Sequence, residues 1–258
     1  MSRHPVFRDD ALTGRVVFVT GGSRGIGAEI ARNVAAAGAH VAVGFHSNAA
    51  AADGVVAELS ATGSRVIAVR GDVAVEADVT RMVEEVLAEF GHIDGLVNNA
   101  GIFPETPFLE ITPEEWERVM AVDVNGAYLC TRAVLPSMLE RGSGSIVMIS
   151  SRLGQIGFAG VVHYATAKAG LLAMAKSLAR EFGPRGIRVN TVAPGVTLTE
   201  MAEDVTTGEV GQKRLAELPA GRFALASEVA DSVTFLLSDA ATLFHGQTLC
   251  PNGGGYMP

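Results

Sequence analysis

Short apolar runs alternate with longer stretches of helical periodicity from Arg15 almost to the C-terminus. Val16-Val17-Phe18-Val19, closed by Thr20-Gly21-Gly22, reads as a buried strand entering a tight turn. From Gly25 to Gly38, Ile26, Ile30 and Val34 share one face and Gly38 supplies a stop, which predicts an amphipathic helix. The same reading places further strands at Val41–Val43, Val66–Val69, Gly95–Val97, Ser145–Ile149, Ile187–Thr191 and Thr248–Cys250. Further helices are predicted at Ala49–Thr62, Glu76–Phe90, Pro113–Glu140, Val162–Phe182 and Ser227–Leu237. Strands apolar throughout, separated by helices, imply a parallel sheet covered on both faces by right-handed crossovers. The expected fold class is therefore α/β, a doubly wound parallel sheet of about seven strands with helices on both faces, in a single domain. Residues 14–258 form that domain after an N-terminal tail, 1–13, and the irregular stretch Thr197–Leu218 is expected to be a lid over the site.

Composition narrows the function classes. Of the 258 residues, 48% are hydrophobic and 19% charged, a globular balance for one large domain. The net charge of −8 argues against a nucleic-acid partner, which requires a basic face. The polar start of the chain does not resemble a signal peptide, and no apolar run of membrane-spanning length occurs, so a cytoplasmic protein without a membrane partner is expected. Cys130 and Cys250 are expected in a helix and a strand as small core residues. The six histidines form no ligand string, so no metal is expected.

Thr20-Gly21-Gly22-Ser23-Arg24-Gly25-Ile26-Gly27 lies at the first strand–helix junction. There Gly21 permits a sharp turn, while Gly25 and Gly27 permit close backbone approach to a pyrophosphate and of helix to sheet. The free N–H groups of the helix start would receive the phosphates. At the second strand's end, Gly44-Phe45-His46-Ser47-Asn48 carries no acidic residue to bind a ribose diol and repel a 2′-phosphate. Arg24 offers positive charge, and His46, Ser47 and Asn48 lie where hydrogen bonds to that phosphate would form, so NADP(H) is favoured over NAD(H).

Tyr164 and Lys168, four residues apart at a predicted helix start, share one helix face. A phenol titrates near pH 10 when free, and a neighbouring ammonium favours phenolate, which suits Tyr164 to proton exchange with a carbonyl or alcohol oxygen. Ser151, thirteen residues before Tyr164 and just past a strand, would hydrogen-bond that oxygen.

The glycine turn, Asp72-Val73, Asn98-Asn99-Ala100-Gly101, the Ser151–Tyr164–Lys168 spacing and Pro194-Gly195-Val196-Thr197-Leu198-Thr199 together resemble the short-chain dehydrogenase/reductase family. The resemblance is to its single-domain Rossmann branch over residues 14–254, nearest to ketoreductases of the 3-oxoacyl-(acyl-carrier-protein) reductase type. It implies that Asp72 and Val73 meet adenine and that Asn99, Ala100 and Gly101 face the ribose. It also implies that Tyr164 and Lys168 reach the nicotinamide ribose, that Pro194, Gly195, Val196 and Thr197 form the nicotinamide-side turn, and that Thr199 lies near the phosphates. The chemistry implied is hydride transfer that reduces a ketone, small or carrier-bound, to a secondary alcohol in a homotetramer. Alternatives are an alcohol or sugar dehydrogenase working in oxidation, and a nucleotide-binding regulator without turnover. One position departs: anchored on Gly126, the family's catalytic Asn falls on Asp123. Asn125, about 200° further around an ideal helix, is not a substitute for it.

Overall fold

A computed structural model describes residues 10–257. Residues 1–9 of the expected tail lie outside the described residues. Leu12, within that tail, is fully buried and its N–H donates to the Ala37 carbonyl at 2.8 Å, so the folded body reaches back at least to this residue.

Seven parallel strands form the main sheet: β1 (Val16–Val19), β2 (His40–Phe45), β3 (Val66–Arg70), β4 (Gly95–Asn98), β5 (Gly144–Ile149), β6 (Ile187–Val192) and, last in the chain, β9 (Thr248–Leu249). Their order is β3-β2-β1-β4-β5-β6-β9, so the chain winds outward from β1 in one direction and then from β4 in the other. The reversal between β1 and β4 opens a crevice at the carboxyl ends of these strands, where ligands bind in such sheets.

The strands are apolar because both faces are covered. Val17, Val19, Val41, Val43, Val97 and Val147 pack with α1 (Gly25–Ala36), α2 (Ala49–Ser60) and α10 (Ala226–Leu237) on one face. Val16, Phe18, Leu96, Ile146, Met148 and Val189 point the other way, against α3 (Glu76–Phe90), α5 (Gly126–Arg141) and α7 (Val162–Phe182). Alternation along β1 thus supplies two cores from one strand. Cys130 sits in the second core, and burial pushes its thiol up to about 12, so it is no nucleophile. Cys250 lies one residue past β9 rather than within it.

Three elements differ from the sequence expectation. The long fourth helix, expected as Pro113–Glu140, is α4 (Pro113–Met120), a π-helical turn at Ala121–Asn125, and then α5. A short helix, α6 (Leu153–Ile156), follows β5. The stretch expected to be irregular contains β7 (Thr197–Leu198), a 3₁₀ turn at Glu200–Ala202, α8 (Glu203–Thr206) and α9 (Gly208–Ala216). β7 pairs in parallel with β8 (Ala224–Leu225), immediately before α10. Among the described residues no helix is long and apolar enough to cross a membrane.

Candidate active site

The glycine turn leaves β1 at the sheet's carboxyl edge. Gly21 and Gly25 hold φ of 63° and 54°, left-handed values that disfavour a side chain. Gly27 carries no such φ but has no room: a Cβ there would stand 2.1 Å from the Gly21 carbonyl oxygen. The α1 N-terminus has Arg24 at its cap with no side chain bonded to the first-turn N–H groups. Those groups are what a pyrophosphate would accept, so the turn fits a dinucleotide. Thr199 lies beside it, its Cγ2 3.7 Å from where a Gly25 Cβ would be, the neighbourhood expected for a phosphate contact.

Thr20 and Asn99 lock this turn to the end of β4. The Thr20 hydroxyl accepts from the Asn99 and Ala100 N–H groups at 3.0 and 3.1 Å, and Asn99 Nδ2 donates to the Thr20 and Gly21 carbonyls at 3.0 and 3.1 Å. Asn98 turns inward, donating to Thr131 Oγ1 at 3.0 Å. Asp72 Oδ1 accepts from Ala74 N–H at 2.9 Å, while Val73 is buried against Gly126. Across the crevice, Arg152 N–H donates to the Pro194 carbonyl at 3.0 Å, and Gly195 lies against Asn252 too closely for a Cβ. Thr197 Oγ1 donates to the Gly195 carbonyl at 3.1 Å, and the Val196 carbonyl accepts from Ala224 N–H.

At the β2 end, His46, Ser47 and Asn48 are exposed, as are Arg24 and Arg70. The Asn48 side chain is engaged, capping α2 by accepting from Ala51 N–H at 3.0 Å. Arg70, absent from the sequence-based site, ends β3 opposite Phe45 and donates to the His46 carbonyl at 3.2 Å. Its signal lies in register rather than motif, since only strand pairing brings it beside His46.

Ser151, Tyr164 and Lys168 gather where β5 and α7 meet. Ser151 is buried just beyond β5, and its Oγ accepts from Leu153 N–H at 3.1 Å, which leaves the hydroxyl proton to donate. That hydroxyl acts on the Tyr164 phenol in the sense that favours phenolate, the smallest of the influences on it. Lys168 Nζ lies 5.4 Å from the Tyr164 ring centroid and donates to the Ile149 carbonyl at 3.2 Å. Ser150 Oγ donates to the Lys168 carbonyl at 2.7 Å, a second tie between β5 and α7. Phe103, also missed in the sequence, packs edge-on to Tyr164 with centroids 4.7 Å apart. The sequence-predicted Ser151, Tyr164 and Lys168 are therefore brought together.

Asp123 completes the cluster. The π-turn buries it, Oδ1 accepts from Ile102 N–H at 2.8 Å, and Oδ2 stands 3.0 Å from Lys168 Nζ. This contact is an ion pair, and no hydrogen bond reaches Oδ2. Asn125 is exposed at the turn's far end. Burial raises the Tyr164 phenol above its ordinary value; Lys168 pulls it down, Asp123 pushes it up, and Ser151 lowers it slightly. Lys168 thus acts in the expected sense, but the net direction in the free protein is upward. Burial works against the Lys168 ammonium, yet Asp123 and Tyr164 outweigh it and hold the lysine charged.

His163, one residue before Tyr164, is fully buried, with Nδ1 accepting from Tyr164 N–H at 2.9 Å and Nε2 2.9 Å from Glu115 Oε1. Arg214 of α9 stacks on Phe158, 5.1 Å from its ring centroid, and so ties α9 to the loop before α7.

A family model described as "Enoyl-(Acyl carrier protein) reductase" matches residues 21–256. The chain is 41% identical over 248 residues to a 3-oxoacyl-[acyl-carrier-protein] reductase of Synechocystis, covering 96% of this chain and 99% of that protein. It is 39% identical over 244 residues to the 3-oxoacyl-[acyl-carrier-protein] reductase FabG of Escherichia coli, covering 95% and 98%. This chain belongs to the short-chain dehydrogenase/reductase family. A solved Serratia marcescens short-chain dehydrogenase/reductase mutant superposes with a TM-score of 0.90 at 34% identity, over 95% of this chain and 99% of that one. The chain is accordingly an NAD(P)(H)-dependent oxidoreductase of the ketoreductase kind.

Proposed function

We propose that this protein reduces a 3-oxoacyl thioester, or a closely related ketone, to the secondary alcohol with NADPH. The observation that carries the reading is the convergence of Ser151, Tyr164 and Lys168 at the carboxyl edge of the sheet, beside the glycine turn. Gly21, Ser23, Arg24, Gly25, Ile26 and Gly27 would hold the dinucleotide's phosphates, with Arg24 and Arg70 beside the adenosine 2′-phosphate and Asp72 and Val73 near adenine. Bound NADPH supplies the hydride.

The remaining work falls to the chain's own groups. Ser151 would donate its hydroxyl proton to the ketone oxygen as a hydrogen bond and fix that oxygen near Tyr164. Tyr164 transfers its phenolic proton to the oxygen as negative charge develops there, so hydride and proton together give the alcohol. Lys168 stabilises the phenolate left behind. The raised phenol enters the step protonated, and the Lys168 ammonium, which pulls the phenol down, is what eases the loss of its proton.

The substrate reading draws on the names of the relatives and on the lid. Met201 and Val210 in the lid, and Ile156 and Phe158 in the segment it touches, are large exposed apolar side chains suited to an acyl chain. A homotetramer is part of the proposal, supported by exposed Tyr128 on α5 and by β9 at the sheet edge, and a cytoplasmic location goes with it. The test is NADPH consumption, with NADH in parallel, against a panel of 3-oxoacyl thioesters, cyclic ketones and sugars. Fastest turnover on the thioesters with NADPH is expected. Tight cofactor binding without turnover of any carbonyl would overturn the reading.

A further inference from the structure

Among the described residues Asp123 is the only buried carboxylate, and its partner is the catalytic lysine. The backbone puts it there. A π-turn adds a residue to the helical turn and lets Asp123 face the site while Asn125 faces solvent. The packing against Gly101 is tight: a Cβ there would stand 2.9 Å from Asp123 Oδ2 and 3.1 Å from Lys168 Nζ. Asp123 is thereby held by Ile102 N–H from one oxygen and by Lys168 at the other.

An ammonium favours the phenolate of Tyr164 through its unscreened positive charge. Paired with a carboxylate 3.0 Å away, the same ammonium presents a dipole whose field at the phenol is far weaker. We propose that Asp123 is a positioning residue that fixes Lys168 and, by pairing with it, keeps Tyr164 a proton donor to higher pH than the lysine alone would allow. Burial and Asp123 act on the phenol in this same upward sense.

Few other charges bear on the pair. From α4, Glu115 is engaged by His163 and Thr106, and His163 points to it rather than to the phenol. Beyond β5, Ser151 and the Ile149 carbonyl are neutral, and Arg152 turns to the Gly255 carbonyl at 3.2 Å. Among the described residues, the charged groups that act on Tyr164 are Lys168 and Asp123.

The physiological consequence rests on the reductase reading, but the test does not need turnover. The chain has three tyrosines, so tyrosinate absorbance followed against pH, with Tyr164→Phe as the blank, isolates the Tyr164 ionisation. Asp123→Asn keeps the shape and an acceptor for Ile102 N–H while removing the charge. It is expected to move that ionisation down by about one pH unit. The alkaline fall of ketone reduction should move down with it.

Asp123→Ala removes charge and acceptor together. It should show the same downward shift along with a lowered Tm. A wild-type ionisation in both variants would overturn the proposal, even if Asp123→Ala were less stable, since that pattern belongs to a purely structural residue. A downward shift in a protein that reduces no ketone would support the role of Asp123 while sinking the substrate reading.

Discussion

The imidazole of His163 uses both ring nitrogens at once: Nδ1 receives the N–H of Tyr164 at 2.9 Å, and Nε2 meets Glu115 Oε1 at 2.9 Å. Since Tyr164 N–H is one of the first-turn groups a helix cannot satisfy internally, the ring caps α7 at Tyr164. Glu115 also accepts from Thr106 at 2.6 Å, so one carboxylate joins α4, α7 and the loop after β4. Replacing His163 with Phe leaves a buried N–H unpaired and is expected to cost about 1–3 kcal/mol. Reduction should slow with KM for NADPH unchanged, as chemical denaturation and steady-state kinetics would show. Unchanged stability would contradict the capping role.

The same carboxylate makes stability depend on acid. Hydrogen bonds from Thr106 and then His163 hold Glu115 below the usual carboxylate range. A group depressed in the folded state stabilises above its unfolded value, and that contribution fades as pH falls through the folded value. The Tm difference between wild type and Glu115→Gln is therefore expected to be greatest near neutrality and to shrink in acid. A constant difference across the titration would show that the charge plays no part.

Tyr164→Phe removes the proton donor but keeps the ring that packs on Phe103. Ketone reduction should fall by about a hundred- to ten-thousandfold. NADPH binding, read by fluorescence titration, should stay within a few-fold. An undiminished rate would dismiss the phenol as the acid.

Gly27→Ala places a methyl group 2.1 Å from the Gly21 carbonyl oxygen and 2.5 Å from Asn99 Nδ2. Neither can yield without breaking the bonds between the glycine turn and the β4 end. A loss of about 1–3 kcal/mol is expected. NADPH affinity should fall with it, and unaltered affinity would place the phosphates elsewhere.

Arg24→Glu reverses the charge beside the expected 2′-phosphate. With NADPH, kcat/KM should fall about ten- to a hundredfold, as loss of a charge-assisted hydrogen bond would give, while the value with NADH holds or rises. Equal losses with both cofactors would remove Arg24 from selectivity.

Most of the architecture was legible because buried parallel strands announce themselves as apolar runs and the helices as periodic stretches. Tyr164 and Lys168 were legible for the same reason: spacing on one helix fixes a shared face. The π-turn was not, since Ala121–Asn125 carries no pattern that distinguishes a turn wider by one residue from ordinary helix. Asp123 stood out as an unusual residue, yet its pairing with Lys168 depends on how the π-turn and α7 pack, which no local pattern encodes. The upward direction at Tyr164 was hidden likewise, because desolvation depends on everything that covers the ring. β7 and β8, two residues each, are too short to leave a periodic trace.

Those two short strands set how the lid can vary. Because Thr197–Leu198 lies paired with Ala224–Leu225, the chain between them leaves the body and re-enters it at adjoining positions, with Arg214 on Phe158 and the Ala220 N–H on the Gly253 carbonyl as further ties. Lengthening or rewriting that excursion adds loop entropy that grows only slowly with its length, and it leaves Pro194 held by Arg152 and Gly195 packed on Asn252. On the proposed reading, substrate choice can thus be exchanged as a cassette while Ser151, Tyr164 and Lys168 stay in place.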